Sequence, residues 1–260
     1  MNYIDTHTHI DGAEFDEDRE QVVQRAKDAG AVKLLIPAID LKSMDTVLDT
    51  CSKYKGYAFP MVGLHPEEVK ANYKDVLVKM HRYLESENNF VAIGEVGLDY
   101  YWSREFENEQ LNAFETQVQW SVETRLPLAI HCRKGQNEMI KILKKYKNEL
   151  PGGVFHCFTG NEKEAAELLD FDNFVLGIGG VITFRKSHLP EVIKDIPLER
   201  IVLETDSPYM APAPMRGTRN ESSFIPYIIE KIALSKGIPM EKVAEQTTAN
   251  AENLFFGKTK

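Results

Sequence analysis

The sequence predicts an α/β chain folded as a closed (β/α)8 TIM barrel with C-terminal helices. Three observations carry that expectation. Short apolar runs recur eight times and mostly alternate with helical patterns, which calls for a parallel sheet. The eight units fill about 210 of the 260 residues, and a barrel of this kind needs about 250 in all. No GxGxxG turn opens the first helix and no P-loop occurs, so an open, doubly wound sheet lacks its usual signatures. With no linker, low-complexity segment or repeat, residues 1–260 read as a single domain.

Residues 2–6 form the first expected strand, and Tyr3-Ile4-Asp5-Thr6-His7-Thr8-His9 is the stretch around which the chain is organised. Asp16 to Asp28 carries Val22, Val23 and Ala26 at helical spacing and stops at Gly30. Val32 to Ile36 is a strand closed by Pro37. Ser43 is the expected N-cap of a helix from Met44 to about Tyr54. Ala58 to Val62 is the third strand, leading into Gly63-Leu64-His65-Pro66, and Lys74 to about Glu87 is helical. Phe90 to Glu95 is the fourth strand, with Gly94 and Gly97 marking a turn or close approach.

The longest helical pattern, Glu105 to Glu123, stops before Pro127. Leu128 to Ile130 is the fifth strand, ending on His131, and Gln136 to Tyr146 is helical. Gly153 to Phe155 is the sixth strand, ending on His156; Asn161 caps a helix from Glu162 to Leu169. Phe174 to Leu176 is the seventh strand, and residues 189–195 form a short helix. Ile201 to Leu203 is the eighth strand, followed by Glu204-Thr205-Asp206-Ser207-Pro208. A Pro/Arg-rich loop (211–222) and two or three helices complete the chain.

Composition narrows the partners. A net charge of −9 argues against a broad basic surface that grips nucleic acid. It leaves room for a local positive site, since two divalent cations add about +4 where they bind. No apolar run approaches the roughly 20 residues of a bilayer span. Asp5 and His7 interrupt any N-terminal leader. Cys51, Cys132 and Cys157 form no CxxC or zinc-finger spacing, and an odd count suits a reducing, cytoplasmic setting. Alternation turns Cys132 and Cys157 away from the face of the histidines before them.

Chemistry in such barrels sits at the C-terminal ends of the strands. Four of the seven histidines fall there: His7 and His9 after strand one, His131 after strand five, His156 after strand six. Glu95 closes strand four and Asp206 follows strand eight. Val91, Ile93 and Glu95 share one strand face, as do Val202, Glu204 and Asp206. Four imidazoles and two carboxylates exceed the needs of one tetrahedral zinc. They suit two divalent metal ions (Mg, Mn or Zn), one on His7, His9 and Asp206, the other on His131 and His156, with Glu95 as bridge. Two such ions can together activate a water, polarise an electrophile and stabilise a leaving oxygen. Asp206 is the expected general base, with Glu95 the second catalytic carboxylate.

These motifs, in this order, resemble the TatD family of metal-dependent deoxyribonucleases, within the wider amidohydrolase-type barrels. The resemblance runs nearly the full chain. It includes Asp5-Thr6-His7-Thr8-His9, Gly63-Leu64-His65-Pro66 and the run from Ile93 through Gly94-Glu95 to Tyr101. It continues with His131-Cys132-Arg133, His156-Cys157-Phe158-Thr159-Gly160, Gly177-Ile178-Gly179-Gly180 with Thr183-Phe184, and Leu203-Glu204-Thr205-Asp206-Ser207-Pro208. Arg216 to Glu221 and Asn250 to Phe255 complete it. The family's metal ligands carry over to His7, His9, Glu95, His131, His156 and Asp206. Ser222-Ser223 departs from the Pro-Ala or Pro-Ser of many relatives. The resemblance implies a divalent-metal hydrolase: a 3′–5′ exonuclease or DNase, with DNA as substrate, as single strands or strand ends. Some relatives are proposed to hydrolyse aminoacyl esters on tRNA instead.

Other residues admit two readings. His65 can contact a phosphate, carry a proton, or simply fill a loop. Arg133 lies on the His131 face and can hold a phosphate, pair with Glu95, or make an ordinary salt bridge. Arg216 and Arg219 can bind a polyanion or tie down their loop. Tyr100, Tyr101 and Trp102 can stack on bases or pack at the rim. Glu204 is expected to orient a ligand. His81 and His188 read as solvated, and the acidic run from Glu14 to Glu20 as a helix start favoured by the helix dipole. The expectation is a monomeric cytoplasmic DNase that hydrolyses phosphodiesters. A carboxyl-ester, amide or lactone hydrolase on the same frame is the first rival; a metal-binding scaffold without turnover is another.

Overall fold

The computed structural model describes residues 1–86 and 88–257. Eight parallel strands in sequence order form one sheet: β1 Tyr3–Asp5, β2 Ala31–Pro37, β3 Ala58–Val62, β4 Ala92–Asp99, β5 Leu128–Arg133, β6 Gly153–Phe155, β7 Phe174–Ile178 and β8 Ile201–Leu203. The ring closes where Thr6 N donates to Leu203 O (3.0 Å) and Thr8 bridges Ser207 in parallel. The helices are α1 Arg19–Ala29, α2 Leu41–Lys53, α3 Tyr73–Leu84, α4 Glu107–Thr124, α5 Gln136–Lys145, α6 Glu162–Leu168, α7 Leu189–Asp195, α8 Ile225–Lys236 and α9 Met240–Phe255. One α-helix follows each of β1 to β7, and α8 and α9 follow β8, as expected of a (β/α)8 TIM barrel with C-terminal helices. Among the described residues no helix is long and apolar enough to cross a membrane.

Strand alternation builds two cores. Ile4, Leu35, Met61, Ala92, Ala129, Val154, Val175 and Val202, one from each strand, cluster with Ala251 and Phe255 of α9. Their sequence neighbours on the other face, such as Leu34, Ile36, Ile93, Ile130 and Leu176, pack against the helices. The interior face then runs upward by steps of two. It carries Ala129 to His131, Val154 to His156, Met61 to His65, and Val202 to Glu204.

Several boundaries differ from the sequence expectation. Strand β4 does not end at Glu95 but continues to Asp99, and its register with β5 shifts between Ile93 and Val96. Gly97 permits that pairing, since a Cβ there would lie 1.8 Å from His131 O. Helix α2 is capped by Asp40 rather than Ser43; Ser43 occupies N3 and completes a capping box. An aspartate and a serine three apart offer either polarity of cap, and here the upstream carboxylate accepts from Ser43 N at 2.7 Å. Helix α3 is assigned through Leu84, and the expected end at Glu87 lies outside the described residues. The Asn161 cap of α6 and the left-handed Gly30 after α1 (φ +107°) are as expected.

Candidate metal centre

Six side chains from five strands and the segments after them converge around Glu95 at the top of the barrel. His7 and His9 arrive on the segment after β1, held by Thr8 N to Leu35 O (3.1 Å) and His9 N to Ser207 O (2.8 Å). Glu95 sits within β4, its backbone N donating to Ala38 O at 3.1 Å, beside the register shift that re-aims the chain. His131 ends the inward face of β5, and His156 follows β6. Asp206 follows β8 at φ +55°, with its N donating to His7 O at 2.9 Å.

On one side His7 Nε2 and His9 Nε2 stand 3.3 Å apart. Glu95 Oε2 lies 3.2 Å from the first and 3.6 Å from the second. Asp206 Oδ1 lies 3.9 Å from His7 Nε2 and 3.5 Å from His9 Nε2. The second Glu95 oxygen, Oε1, faces His131 Nδ1 at 3.1 Å, His65 Nε2 at 3.4 Å and His156 Nε2 at 3.7 Å. His156 stacks on His7 (3.5 Å between ring centres) and also comes within 3.7 Å of Asp206 Oδ1. One carboxylate thus faces histidines on both of its oxygens.

These spacings suit divalent cations. Ligands about 2.0–2.1 Å from a tetrahedral ion stand about 3.3–3.4 Å from each other, and the His7, His9, Glu95 and Asp206 atoms, 3.2–3.9 Å apart, lie at or a little beyond that spacing. Two imidazole nitrogens meeting head-on repel unless a proton or cation lies between them. The groups His7–His9–Glu95, His7–His156–Asp206 and His65–Glu95–His131 are each compact enough to hold an ion.

Without a cation, the cluster shares its charge internally. Burial opposes ionisation of Glu95, but His7, His65 and the His131 hydrogen bond hold its carboxyl well below the usual range. Asp206 is lowered too: burial works against it, and His9, His156 and His7 prevail. His131 is pushed up to about 9, because Asp99 and Glu95 outweigh burial. His156 is pushed up to about 10, where Glu204, Asp206 and Glu95 do the same. His7 moves down, through burial and the neighbouring His156.

Buried acids brace the histidines from behind. Asp99 Oδ2 is 2.8 Å from His131 Nε2. Glu204, fully buried, brings Oε1 to 3.0 Å from His156 Nδ1 and accepts from Cys157 N. Gly177 makes room for it, since a Cβ there would lie 2.2 Å from Glu204 Oε2. Asp5 accepts from His7 N (3.2 Å), Thr205 N (3.0 Å), Thr205 Oγ1 (2.6 Å) and Ser222 Oγ (2.7 Å). The sequence reading raised Glu204 in this role but gave none to Asp99 or Asp5. Asp99 lies beyond the expected strand end, and Thr205 and Ser222, which hold the Asp5 carboxylate, are 200 and 217 residues away in sequence.

The remaining candidates divide. His65 comes into the cluster, edge-on to His131 at 4.6 Å, with Nδ1 accepting from Glu67 N. Arg133 does not pair with Glu95; its guanidinium lies 3.5 Å from the centre of the Tyr101 ring. Arg219 is engaged by Asp18 at 2.7 and 2.8 Å and lies over Phe15, tying its loop to α1. Arg216 covers Phe184 and donates to Ala211 O. Tyr100 is buried, whereas Tyr101 and Trp102 are exposed. Cys132 and Cys157 are unpaired thiols, and Cys157 Sγ turns to Met210 Sδ at 3.9 Å. His81 packs edge-on against Trp120, and His188 precedes α7.

Comparison with known proteins agrees over the length of the chain. The family model described as TatD related DNase matches residues 4–256. The uncharacterized metal-dependent hydrolase YabD of Bacillus subtilis is 35% identical over 253 residues, covering 97% of this chain and 98% of that protein. The protein named 3'-5' ssDNA/RNA exonuclease TatD of a Pantoea species is 34% identical over 258 residues, covering 97% and 98%. Among solved structures, the TatD homolog YJJV of Escherichia coli superposes with a TM-score of 0.91 at 28% identity, covering 98% of both chains.

Proposed function

The chain belongs to the TatD related DNase family of metal-dependent hydrolases, and from that premise we propose that it is a 3′–5′ exonuclease acting on single-stranded DNA or strand ends. The observation that carries the reading is Glu95, whose two oxygens face separate sets of histidines. That arrangement suits two divalent ions, Mg, Mn or Zn, one on His7, His9 and Asp206 and one on His131 and His156, with Glu95 between them. With its Nδ1 accepting from Glu67 N, His65 carries its ring proton on Nε2, 3.4 Å from Glu95 Oε1, and so serves that carboxylate as a donor and not as a ligand of the second ion. Two cations held there would acidify a water, polarise phosphorus and offset the charge growing on the leaving oxygen.

The side chains divide the remaining work. Water attacks phosphorus in line with the departing sugar oxygen, and Asp206 accepts its proton. Glu95 keeps both halves of the site in register. Asp99 and Glu204 hold the rings of His131 and His156, and Asp5 holds the backbone of His7, so little reorganisation accompanies the reaction. We take the chain to act as one catalytic domain, as a monomer, in the cytoplasm; its three unpaired thiols agree with a reducing compartment.

The test is turnover of 5′- and 3′-labelled single-stranded DNA by metal-stripped protein refilled with Mg, Mn or Zn, beside Asp206→Ala. Stepwise shortening from the 3′ end, abolished by the substitution, is expected. No cleavage with any metal, together with Asp206-dependent hydrolysis of an aminoacyl or other carboxyl ester, would move the chemistry from phosphorus to carbon and overturn the reading.

A further inference from the structure

We propose that Trp102 is the base-stacking surface of a single-strand subsite beside the metal cluster, with Tyr101 and Arg133 as its support. The proposal rests on the nuclease reading above and adds what selects the strand. Among the described residues the exposed aromatic side chains are Tyr101, Trp102 and Tyr209. All three lie on loops after strands, Tyr101 and Trp102 after β4 and Tyr209 after β8. Tyr209 stands edge-on to His9, 6.5 Å between ring centres. Tyr101 is tied to the His131 side, because Asp99 bonds both its backbone N and His131 Nε2. The aromatics therefore flank the cluster from two sides.

The three rings are not equivalent. Arg133 covers the Tyr101 ring at 3.5 Å, and Lys134 Nζ lies 4.8 Å from its centre. Trp102 meets Tyr101 edge-on, at 4.7 Å and 85°, and 71% of it is exposed. Arg133 also stands over the indole at 5.7 Å from its ring centre, so this cation and the supported Tyr101 set the position of a ring whose surface is otherwise largely open to a ligand. Arg133 and Lys134 put two cations beside this surface on a chain whose net charge is −9. Flat aromatic surface with adjacent cations fits an unpaired base followed by its phosphate. A duplex hides its base faces in its own stack, so the platform selects single strands.

The experiment compares short single-stranded DNAs with natural terminal nucleotides against the same strands with abasic residues at the terminal and penultimate positions of either end. The wild-type kcat/KM ratio, natural over abasic, is expected to be about ten-fold, the scale of one base on one aromatic ring. In Trp102→Ala the ratio falls toward one, and in Trp102→Phe it recovers in part. A ratio unchanged by Trp102→Ala, with DNA still cleaved, would overturn the stacking role and leave the nuclease reading intact. Failure of the wild type to cleave any strand would overturn both. The substituted side chain is exposed, so an unaltered melting curve serves as the folding control.

Discussion

Asp99 joins His131 to Tyr101. Its Oδ2 lies 2.8 Å from His131 Nε2, and its Oδ1 accepts the Tyr101 backbone N–H at 2.8 Å. A single buried carboxylate thus orients one candidate metal ligand and anchors the loop that displays the exposed indole. The pairing also settles which histidine atom faces Glu95: with Nε2 turned to Asp99, Nδ1 is the nitrogen 3.1 Å from Glu95 Oε1.

Asp99→Asn is therefore expected to weaken metal binding without unfolding the barrel. An amide has one acceptor oxygen for two donors and carries no charge to raise the basicity of His131. Loss of such an outer carboxylate costs about 10- to 100-fold in metal affinity. Titration of metal-stripped protein by calorimetry measures it. Affinity within two-fold of wild type would show that Asp99 only anchors the loop.

Metal uptake should release protons. His131 and His156 are held up at about 9 and about 10 in the metal-free protein, after their carboxylate partners overcome burial. Both are therefore protonated at neutral pH, and a ligating imidazole must give up its proton at the coordinating nitrogen. The sign follows. Apparent affinity rises with pH up to about 9 and flattens as the folded-state values are passed. Their raised values stabilise the metal-free fold fully below the ordinary histidine value, and this is lost as pH rises through 9 to 10. Metal-loaded protein lacks that loss. Calorimetry at neutral pH in buffers of different ionisation enthalpy reads the count directly. About two protons per filled site pair are expected, and none would show that these histidines do not serve as ligands.

The residues that could be read from the sequence are those whose position follows from local periodicity. Steps of two along a strand carry core residues to His131 and His156, so both the barrel and these strand-end groups are visible in one dimension. His65 obeys the same rule from Met61, yet a loop histidine followed by proline has a local explanation as well. Its approach to Glu95 depends on how β3 and β4 meet. Glu95 was expected to end its strand, and a register shift hid the continuation to Asp99. Arg219 and Arg133 show the converse limit. A basic residue near a site can be claimed by Asp18 or by a tyrosine ring, and only the folded arrangement decides between those and a phosphate.

Ser222 links two buried residues of the first strand. Its hydroxyl donates to Asp5 Oδ2 at 2.7 Å, and its carbonyl accepts from Tyr3 Oη–H at 3.0 Å. Asp5 is completely buried, and burial pushes its carboxyl up to about 7 despite the hydrogen bonds that favour its charge. Removing one of those donors leaves a buried oxygen poorer by a charge-assisted bond. Ser222→Ala is accordingly expected to lower the unfolding free energy by about 1.5–3 kcal/mol at pH 8, where Asp5 is mostly ionised, measured by urea denaturation of the metal-stripped protein. The loss should shrink as pH falls toward 5 and Asp5 takes up a proton, because a neutral carboxyl gains less from the donor. A loss that stays constant from pH 5 to 8 would assign the effect to packing around Ser222 and not to its bond with Asp5.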